Sequence, residues 1–152
     1  MTSDPEIRAA RREDAEGLAR LFTSLGHPTS GSEVEARWER WREAGNEALV
    51  AVGPDGTVLG AATLHRMIVL HRPRPVGRIT ALAVDAPVPG QGIGRALVAA
   101  AESKLLREGC GLVEITSNFR FEEAHAFYEH LGYDQTSYRF AKVLERPDEG
   151  SR

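Results

Sequence analysis

The sequence predicts an α/β fold with a mixed sheet, and two observations carry that prediction. Amphipathic stretches with the apolar period of a helix alternate with short β-branched runs along the chain. At its middle, Ile79 to Leu106 runs from an apolar segment through a Pro/Gly loop into an Ala/Leu-rich stretch, the order strand, loop, helix. At 152 residues the chain is long enough for a single domain with a substantial core, spanning residues 1–152.

In chain order, Ile7 to Ala10 reads as a first strand. A helix from about Glu13 to Leu25 follows, with Ala15, Leu18, Ala19, Phe22 and Leu25 on one face. Gly26, His27 and Pro28 end it. Ser32 and Glu35 have the spacing of a capping box and open a second helix, whose Val34, Trp38 and Trp41 share a stripe. Core packing is the plain account of the two tryptophans. Ala48 to Val52 is a strand, Pro54-Asp55-Gly56 a turn, and Val58 to about Leu70 a longer strand running back. Arg72 to Pro75 is a loop.

The central strand spans Val76 to Asp85, and the helix after it Ile93 to Arg107. Its buried stripe is Ile93, Leu97, Ala100, Ala101 and Leu105, with Gly109 as the stop. Leu112 to Ser117 is the next strand. Glu122 to Leu131 is a short helix with Ala124, Phe127, Tyr128 and Leu131 inward, ended by Gly132. Ser137 to Leu144 reads as a last strand, and Glu145 to Arg152 as a charged, frayed tail.

Hydrophobic and charged contents of 41% and 27% are those of a soluble globular protein. A net charge of −3 with scattered Lys and Arg argues against a nucleic-acid partner. It is compatible with a cationic amine substrate. The single Cys110 cannot form an internal disulfide, which suits a reducing, cytoplasmic location. With no histidine near it in sequence, it reads as a small buried hydrophobe rather than a nucleophile. No signal peptide opens the chain, and no apolar run approaches the roughly 18 residues of a membrane span, so no membrane partner is expected. His27, His71 and His130 show no metal-ligand spacing, and no metal is expected.

The glycine loop carries the first chemical signal. The first N–H groups of a helix lack internal partners, and the helix dipole adds partial positive charge there. Gly90, Gly92 and Gly94 remove the side chains that would hold a phosphate away, so a phosphate-bearing ligand is expected from Gly90 to Arg95. A Walker loop fits poorly, because Gly94 is followed by Arg95 and Ala96 rather than Lys and Ser/Thr. The dinucleotide fingerprint fits poorly too, since the glycines run G-x-G-x-G and lie past the middle of the chain. A helix start with no ligand is the remaining alternative.

Several motifs together resemble one family. They are Val84-Asp85, Gly92-Ile93-Gly94-Arg95-Ala96-Leu97, Asn118, and the run from Ala124-His125-Ala126-Phe127-Tyr128 to Leu131-Gly132-Tyr133. At this spacing they resemble the GNAT superfamily of N-acetyltransferases, over nearly the whole chain from Ile7 to around Phe140. One position departs: Pro89 stands where the family's loop usually opens with Arg or Gln. The resemblance implies a GNAT-like mixed, mostly antiparallel central sheet flanked by helices. It implies acetyl-CoA (coenzyme A) as co-substrate, its pyrophosphate on the N–H groups of Gly90, Gln91, Gly92, Ile93, Gly94 and Arg95. The pantetheine is then expected along Leu82, Ala83 and Val84, as an added strand. A backbone N–H near Val84 would meet the carbonyl oxygen where charge develops.

Side-chain roles follow from the same resemblance, each beside a plainer reading. Arg95 either contacts phosphate or is a solvent-exposed helix residue. Asn118 either meets the pantetheine or is a turn or cap residue. Tyr128 is the proton donor to the departing thiolate, or a core aromatic; an unperturbed phenol, at about 10, stays protonated at neutral pH. Trp38 and Trp41 gain a second reading as the wall of an acceptor pocket, which the first two helices frame in GNAT relatives.

The general base is less legible. A lysine-like amine with pKa about 10.4 is roughly 0.05% neutral at pH 7, a penalty of about 4.6 kcal/mol. Arg78, Thr80 and Leu82 alternate with Ile79 and Ala81 on the central strand, and none is a base. His65 and Glu114, on the flanking strands, are the candidates, against ordinary surface or structural roles. His125 lies too near Tyr128 in sequence to share its face. The expected activity is acetyl-CoA-dependent N-acetylation of a primary amine, small molecule or peptide. Transfer would be direct within a ternary complex, since no nucleophile is evident. A non-catalytic acyl-CoA sensor and a nucleotide-binding protein are the alternatives. The acceptor's identity and the oligomeric state, a homodimer included, have no readable code.

Overall fold

The computed structural model describes residues 5–85, 92–116 and 122–145. Pro89, Gly90, Gln91 and Asn118 lie outside the described residues. Met1–Thr116 and Ser117–Arg152 form two compact units.

The first unit holds β1 (Glu6–Ala9), α1 (Ala15–Ser24), α2 (Gly31–Glu43), β2 (Asn46–Val52), β3 (Val58–Met67), β4 (Val76–Val84), α3 (Ile93–Arg107) and β5 (Leu112–Ile115). The strands form a sheet in the order β1-β2-β3-β4-β5. The first three pairings are antiparallel and β4–β5 is parallel, so the sheet is mixed and mostly antiparallel. A parallel neighbour needs a crossover, and α3 provides it. Helices α1 and α2 pack Leu18, Leu21, Val34 and Trp38 against Val50, Ala61 and Ala83 on one face. α3 covers the other face, where Gly60 sits against Ile93 and Leu97, and Gly77 against Leu105.

Gly77 marks how closely α3 approaches. A Cβ there would stand 2.6 Å from Leu105 Cδ1, and Leu105 is fully buried, so it has nowhere to move. Gly77→Ala is expected to cost about 1–3 kcal/mol by overpacking, read as a lower urea midpoint at unchanged m-value.

Elements end where their backbone groups find partners. α2 is capped by Ser30, whose Oγ accepts from Glu33 N–H at 3.1 Å while Glu33 Oε1 accepts from Ser30 N–H at 2.9 Å. The capping box is therefore Ser30/Glu33 rather than Ser32/Glu35. Both frames have the spacing, and the earlier start buries Gly31 and adds hydrogen bonds to the helix. α3 buries Val98 rather than Ala100 beside Ile93, Leu97, Ala101 and Leu105. β3 stops at Met67, short of Leu70, which is exposed together with Ile68.

A single 3₁₀ turn, Arg12–Asp14, leads into α1. Asp14 is buried and accepts two hydrogen bonds from Arg8, at 2.8 and 2.9 Å, and one from Arg11 N–H at 2.8 Å. Burial alone would raise its pKa, but the Arg8 and Arg11 contacts outweigh it and hold the carboxyl below its usual value. A depressed folded-state value stabilises the fold above the unfolded value, about 3.9, and that stability is lost as pH falls through the folded value. Removing one member of a buried pair costs about 3–5 kcal/mol, and with Arg8 partly exposed about 2–3 kcal/mol is expected for Asp14→Ala at pH 7. Urea unfolding at pH 7 and in the acid range checks this, with the gap to wild type narrowing in acid.

The second unit holds α4 (Glu122–His130). Ser137 to Leu144 is not a strand, contrary to the sequence expectation; residues 133–145 carry no regular structure, and Tyr138, Phe140, Val143 and Leu144 are exposed. Aromatic and β-branched residues favour a pleated surface, but a strand exists only where a ladder partner meets it. Among the described residues of this unit α4 is the sole regular element. No helix among the described residues is long and apolar enough to cross a membrane.

Candidate active site

Strand β4 departs from regular pairing at the point where the chemistry is expected. Leu64 pairs with Ile79 and Thr63 with Ala81, which leaves Thr80 as an extra residue in β4. Such a bulge re-aims the residues after it. Before it, Leu64 and Ile79 lie under α3; after it, Ala81 turns with Thr63 toward α1 and α2. The simple alternation of Arg78, Thr80 and Leu82 against Ile79 and Ala81 is thereby broken. Thr63 and Thr80 place their hydroxyls 2.6 Å apart, and Thr80 Oγ also donates to the Thr63 carbonyl at 3.2 Å. Neither threonine stands out in the sequence, because its importance comes from the bulge.

On its other side β4 pairs with β5 only from Val76 to Ile79. Thr80 to Val84 therefore have no ladder partner there among the described residues, and Leu82, Ala83 and Val84 lie along an open edge. Asp85 fixes the end of this edge. Its N–H donates to the Leu59 carbonyl at 2.7 Å, and its carboxylate accepts from Arg20 Nη1 at 2.6 Å. Arg20 Nη2 donates to the Val58 carbonyl at 2.7 Å. Arg20 ties α1 to the residue that precedes the glycine loop, a link with no local signal in sequence.

α3 begins on the far side of that loop. Gly92 occupies the cap position in the left-handed region, φ +68°, with no side-chain cap. Ala96 N–H is bonded to the Gly92 carbonyl at 3.0 Å. The N–H groups of Ile93, Gly94 and Arg95, one turn earlier, have no intrahelical acceptor. Buried Ile93 anchors this turn in the core, while Arg95 is exposed. Leu82 to Val84 and Gly92 to Arg95 thus flank one loop as the ends of consecutive elements.

Beneath α1 and α2 lies a cavity of about 270 Å³. Its walls include Leu18, Phe22, Leu25, Val34, Trp38 and Trp41, and its sheet side is Ala48, Thr63 and Ala81. Trp38 and Trp41 stand with ring centroids 5.1 Å apart. Trp38 is buried and Trp41 half-buried, so the pair packs the core and walls the cavity at once.

Arg78 relates the two candidate bases. It stands opposite His65 on β3 and Glu114 on β5. Its Nη2 donates to Glu114 Oε1 at 3.0 Å, committing that carboxylate to a cation. His65 lies two residues from Thr63 on the same strand, and its Nδ1 is buried with no hydrogen-bond partner among the described residues. Neither side chain lines the cavity. Cys110 is buried behind α3, and burial pushes its thiol up, away from nucleophilic use.

Tyr128 belongs to the second unit, two residues before the end of α4. Tyr133 N–H donates to the Tyr128 carbonyl and Gly132 N–H to the Glu129 carbonyl, both at 3.0 Å, with Gly132 at φ +96°. This Schellman ending folds Tyr133 back over Tyr128, the rings meeting edge-on at 6.3 Å. Tyr128 is half-buried, and burial raises its phenol above the ordinary tyrosine value.

Residues 13–133 match the acetyltransferase (GNAT) family. An aminoglycoside N(6′)-acetyltransferase of Stenotrophomonas maltophilia is 30% identical over 141 residues, 90% of each chain. An aminoalkylphosphonate N-acetyltransferase of Salmonella typhimurium is 39% identical over 90 residues, 59% of this chain and 58% of that one. The structure of a Trypanosoma brucei acetyltransferase superposes with a TM-score of 0.81 at 29% identity, over 93% of this chain and 100% of the other. From the bulged strand and glycine-started helix to the Phe-Tyr pair of α4, the chain belongs to the GNAT acetyltransferase family.

Proposed function

We propose that this protein transfers an acetyl group from acetyl-CoA to a primary amine, directly and within a ternary complex. The observation that carries this function is the open edge of β4 from Thr80 to Val84, running toward the N-terminus of α3. An extended pantetheine arm can add to such an edge as a strand. A pyrophosphate suits the free N–H groups of Ile93, Gly94 and Arg95, where Gly92 presents no Cβ. The residues present therefore fit the cofactor. Relatives named as N-acetyltransferases support an amine as acceptor.

Acetyl-CoA, when bound, supplies the acetyl carbon to the amine nitrogen and leaves as the thiol. Leu82, Ala83 and Val84 hold the arm through their backbone, and a backbone N–H near Val84 faces the developing oxyanion. Arg95 adds charge near the phosphates. Gly90, Gln91 and Asn118 keep the cofactor roles that the family resemblance assigns them. Tyr128 holds the proton that the departing sulfur needs, and burial keeps its phenol protonated throughout the neutral range. The cavity under α1 and α2 receives the amine, with Thr63 at its sheet side. His65 is the better of the two base candidates, since Glu114 is engaged by Arg78. A buried free thiol at Cys110 suits the cytoplasm.

Thermal shift with acetyl-CoA, with NAD as control, followed by thiol release against a panel of amines, tests this function. Stabilisation by acetyl-CoA alone and turnover of an amine are expected. Absence of stabilisation at millimolar acetyl-CoA overturns the cofactor, and stabilisation with no turnover of any amine favours a sensor.

A further inference from the structure

We propose that the acceptor is a monoamine borne on a compact apolar body, aromatic or branched alkyl, with no second positive charge. This acceptor class presupposes the acetyl-transfer function proposed above and concerns the cavity beneath α1 and α2.

The cavity's composition points to it. No carboxylate is among its described lining residues; the charged side chain there is Arg37, and the other polar groups are His27, Thr29 and Thr63. Arg37 is more than half exposed and reaches Glu33 on its own helix at 3.4 Å, so it sits at the rim as a cation. A polycationic acceptor would bring ammonium groups against tryptophan, phenylalanine and leucine with no anion to meet them. A buried charge without a partner is among the costliest groups a protein can hold. Size points the same way. A volume of about 270 Å³ is at or below the small end of ligand cavities, which run from about 300 to 1,000 Å³. A multi-ring amino sugar does not fit, while one aromatic ring or a branched alkyl chain does. Trp38 and Trp41, packed against each other at a tilt with centroids 5.1 Å apart, present an aromatic wall to such a body.

The same walls bear on how the ammonium loses its first proton. Burial in an apolar cavity disfavours the ammonium form and lowers the pKa of a bound amine. A monoamine that gives one proton to solvent on entry arrives as the nucleophile. The Thr63 hydroxyl, 2.6 Å from that of Thr80, is then the polar group on the sheet side that the neutral nitrogen meets, beside Ala81. No dedicated carboxylate is needed there, and none is present among the described lining residues.

Steady-state thiol release at saturating acetyl-CoA tests the class with 2-phenylethylamine, isoamylamine, spermidine, kanamycin and 2-aminoethylphosphonate. The two apolar monoamines are expected to exceed the other three in kcat/KM by at least about 10²-fold, a difference of about 2.7 kcal/mol. Trp41→Ala is expected to raise the KM for 2-phenylethylamine about tenfold at an unchanged acetyl-CoA-induced thermal shift. Arg37→Glu, on the exposed rim, keeps the test open should Trp41→Ala fail to fold; it is expected to raise kcat/KM for spermidine several-fold relative to isoamylamine. Faster turnover of spermidine, kanamycin or the phosphonate than of either apolar monoamine overturns the class while acetyl transfer stands. Stabilisation by acetyl-CoA with no turnover of either apolar monoamine also overturns it. Loss of the acetyl-CoA shift itself points instead to failure of the cofactor assignment.

Discussion

Tyr128→Phe should lower kcat by about 10²- to 10⁴-fold, the ordinary contribution of a positioned general acid, and leave acetyl-CoA affinity within about twofold. The substitution keeps the ring, its edge-on contact with Tyr133 and the Schellman ending of α4, and removes one hydroxyl. Only the hydroxyl proposed as the proton donor is lost. Thermal shift with acetyl-CoA separates the outcomes, because a structural role for the hydroxyl would lower the melting temperature, whereas an acid's role would not. A wild-type kcat in the phenylalanine variant would remove Tyr128 from the mechanism.

The pH profile offers an independent view of the same group. Burial raises the phenol above its ordinary value of about 10. The acid form is then present across the neutral and mildly alkaline range, and its loss belongs above the usual tyrosine range. Below that loss, kcat/KM is expected to rise with pH as the acceptor amine loses its proton, and to follow the amine's pKa when the amine is changed. A falling limb near neutrality would mean that some other acid is at work.

How much of the fold and site is legible in the sequence depends on the range of the interaction concerned. α3 can be read to its observed bounds from Ile93, Leu97 and Leu105, because helical periodicity and the Gly109 stop are local signals. The strands of the first unit are legible as elements, and the GNAT motifs point to the loop that joins β4 to α3. What escapes needs a partner strand or a distant side chain. The bulge at Thr80 exists only in the pairing of β3 with β4, and it reverses which residues face the cavity. Thr63 and Thr80 therefore carry no signal of their own, nor does Arg20, whose partner Asp85 is 65 residues away. Glu114 reads as a free carboxylate until β5 brings it beside Arg78. The stretch from Ser137 to Leu144 shows the opposite failure, since its strand propensity is strong and the ladder it needs is absent among the described residues. The cavity is half legible: Trp38 and Trp41 read as core packing or as an acceptor-pocket wall, and they pack together in the core while lining the cavity proposed to take the acceptor.

Gly92→Val should weaken acetyl-CoA binding by about 10²-fold, the equivalent of losing two charge-assisted hydrogen bonds at about 1.5 kcal/mol each. Gly92 caps α3 at φ +68°, where an added Cβ would meet nothing within 4 Å, so the obstacle is the backbone and not a clash. A β-branched residue in that region costs roughly 1–2 kcal/mol, and the strain relaxes by rotating φ to negative values. That rotation re-aims the N–H groups of Ile93 and Gly94, which are the ones proposed to meet the pyrophosphate. Gly109→Val is the control. Gly109 lies just past the other end of the same helix at φ +92°, again with nothing within 4 Å, so its strain is comparable. Both variants are expected to lose similar stability, and only Gly92→Val to lose affinity by calorimetric titration with acetyl-CoA. Equal loss in both would mean that the helix as a whole was damaged. Wild-type affinity in both would mean that the phosphates do not rest on the N-terminus of α3, and the cofactor would have to be held elsewhere.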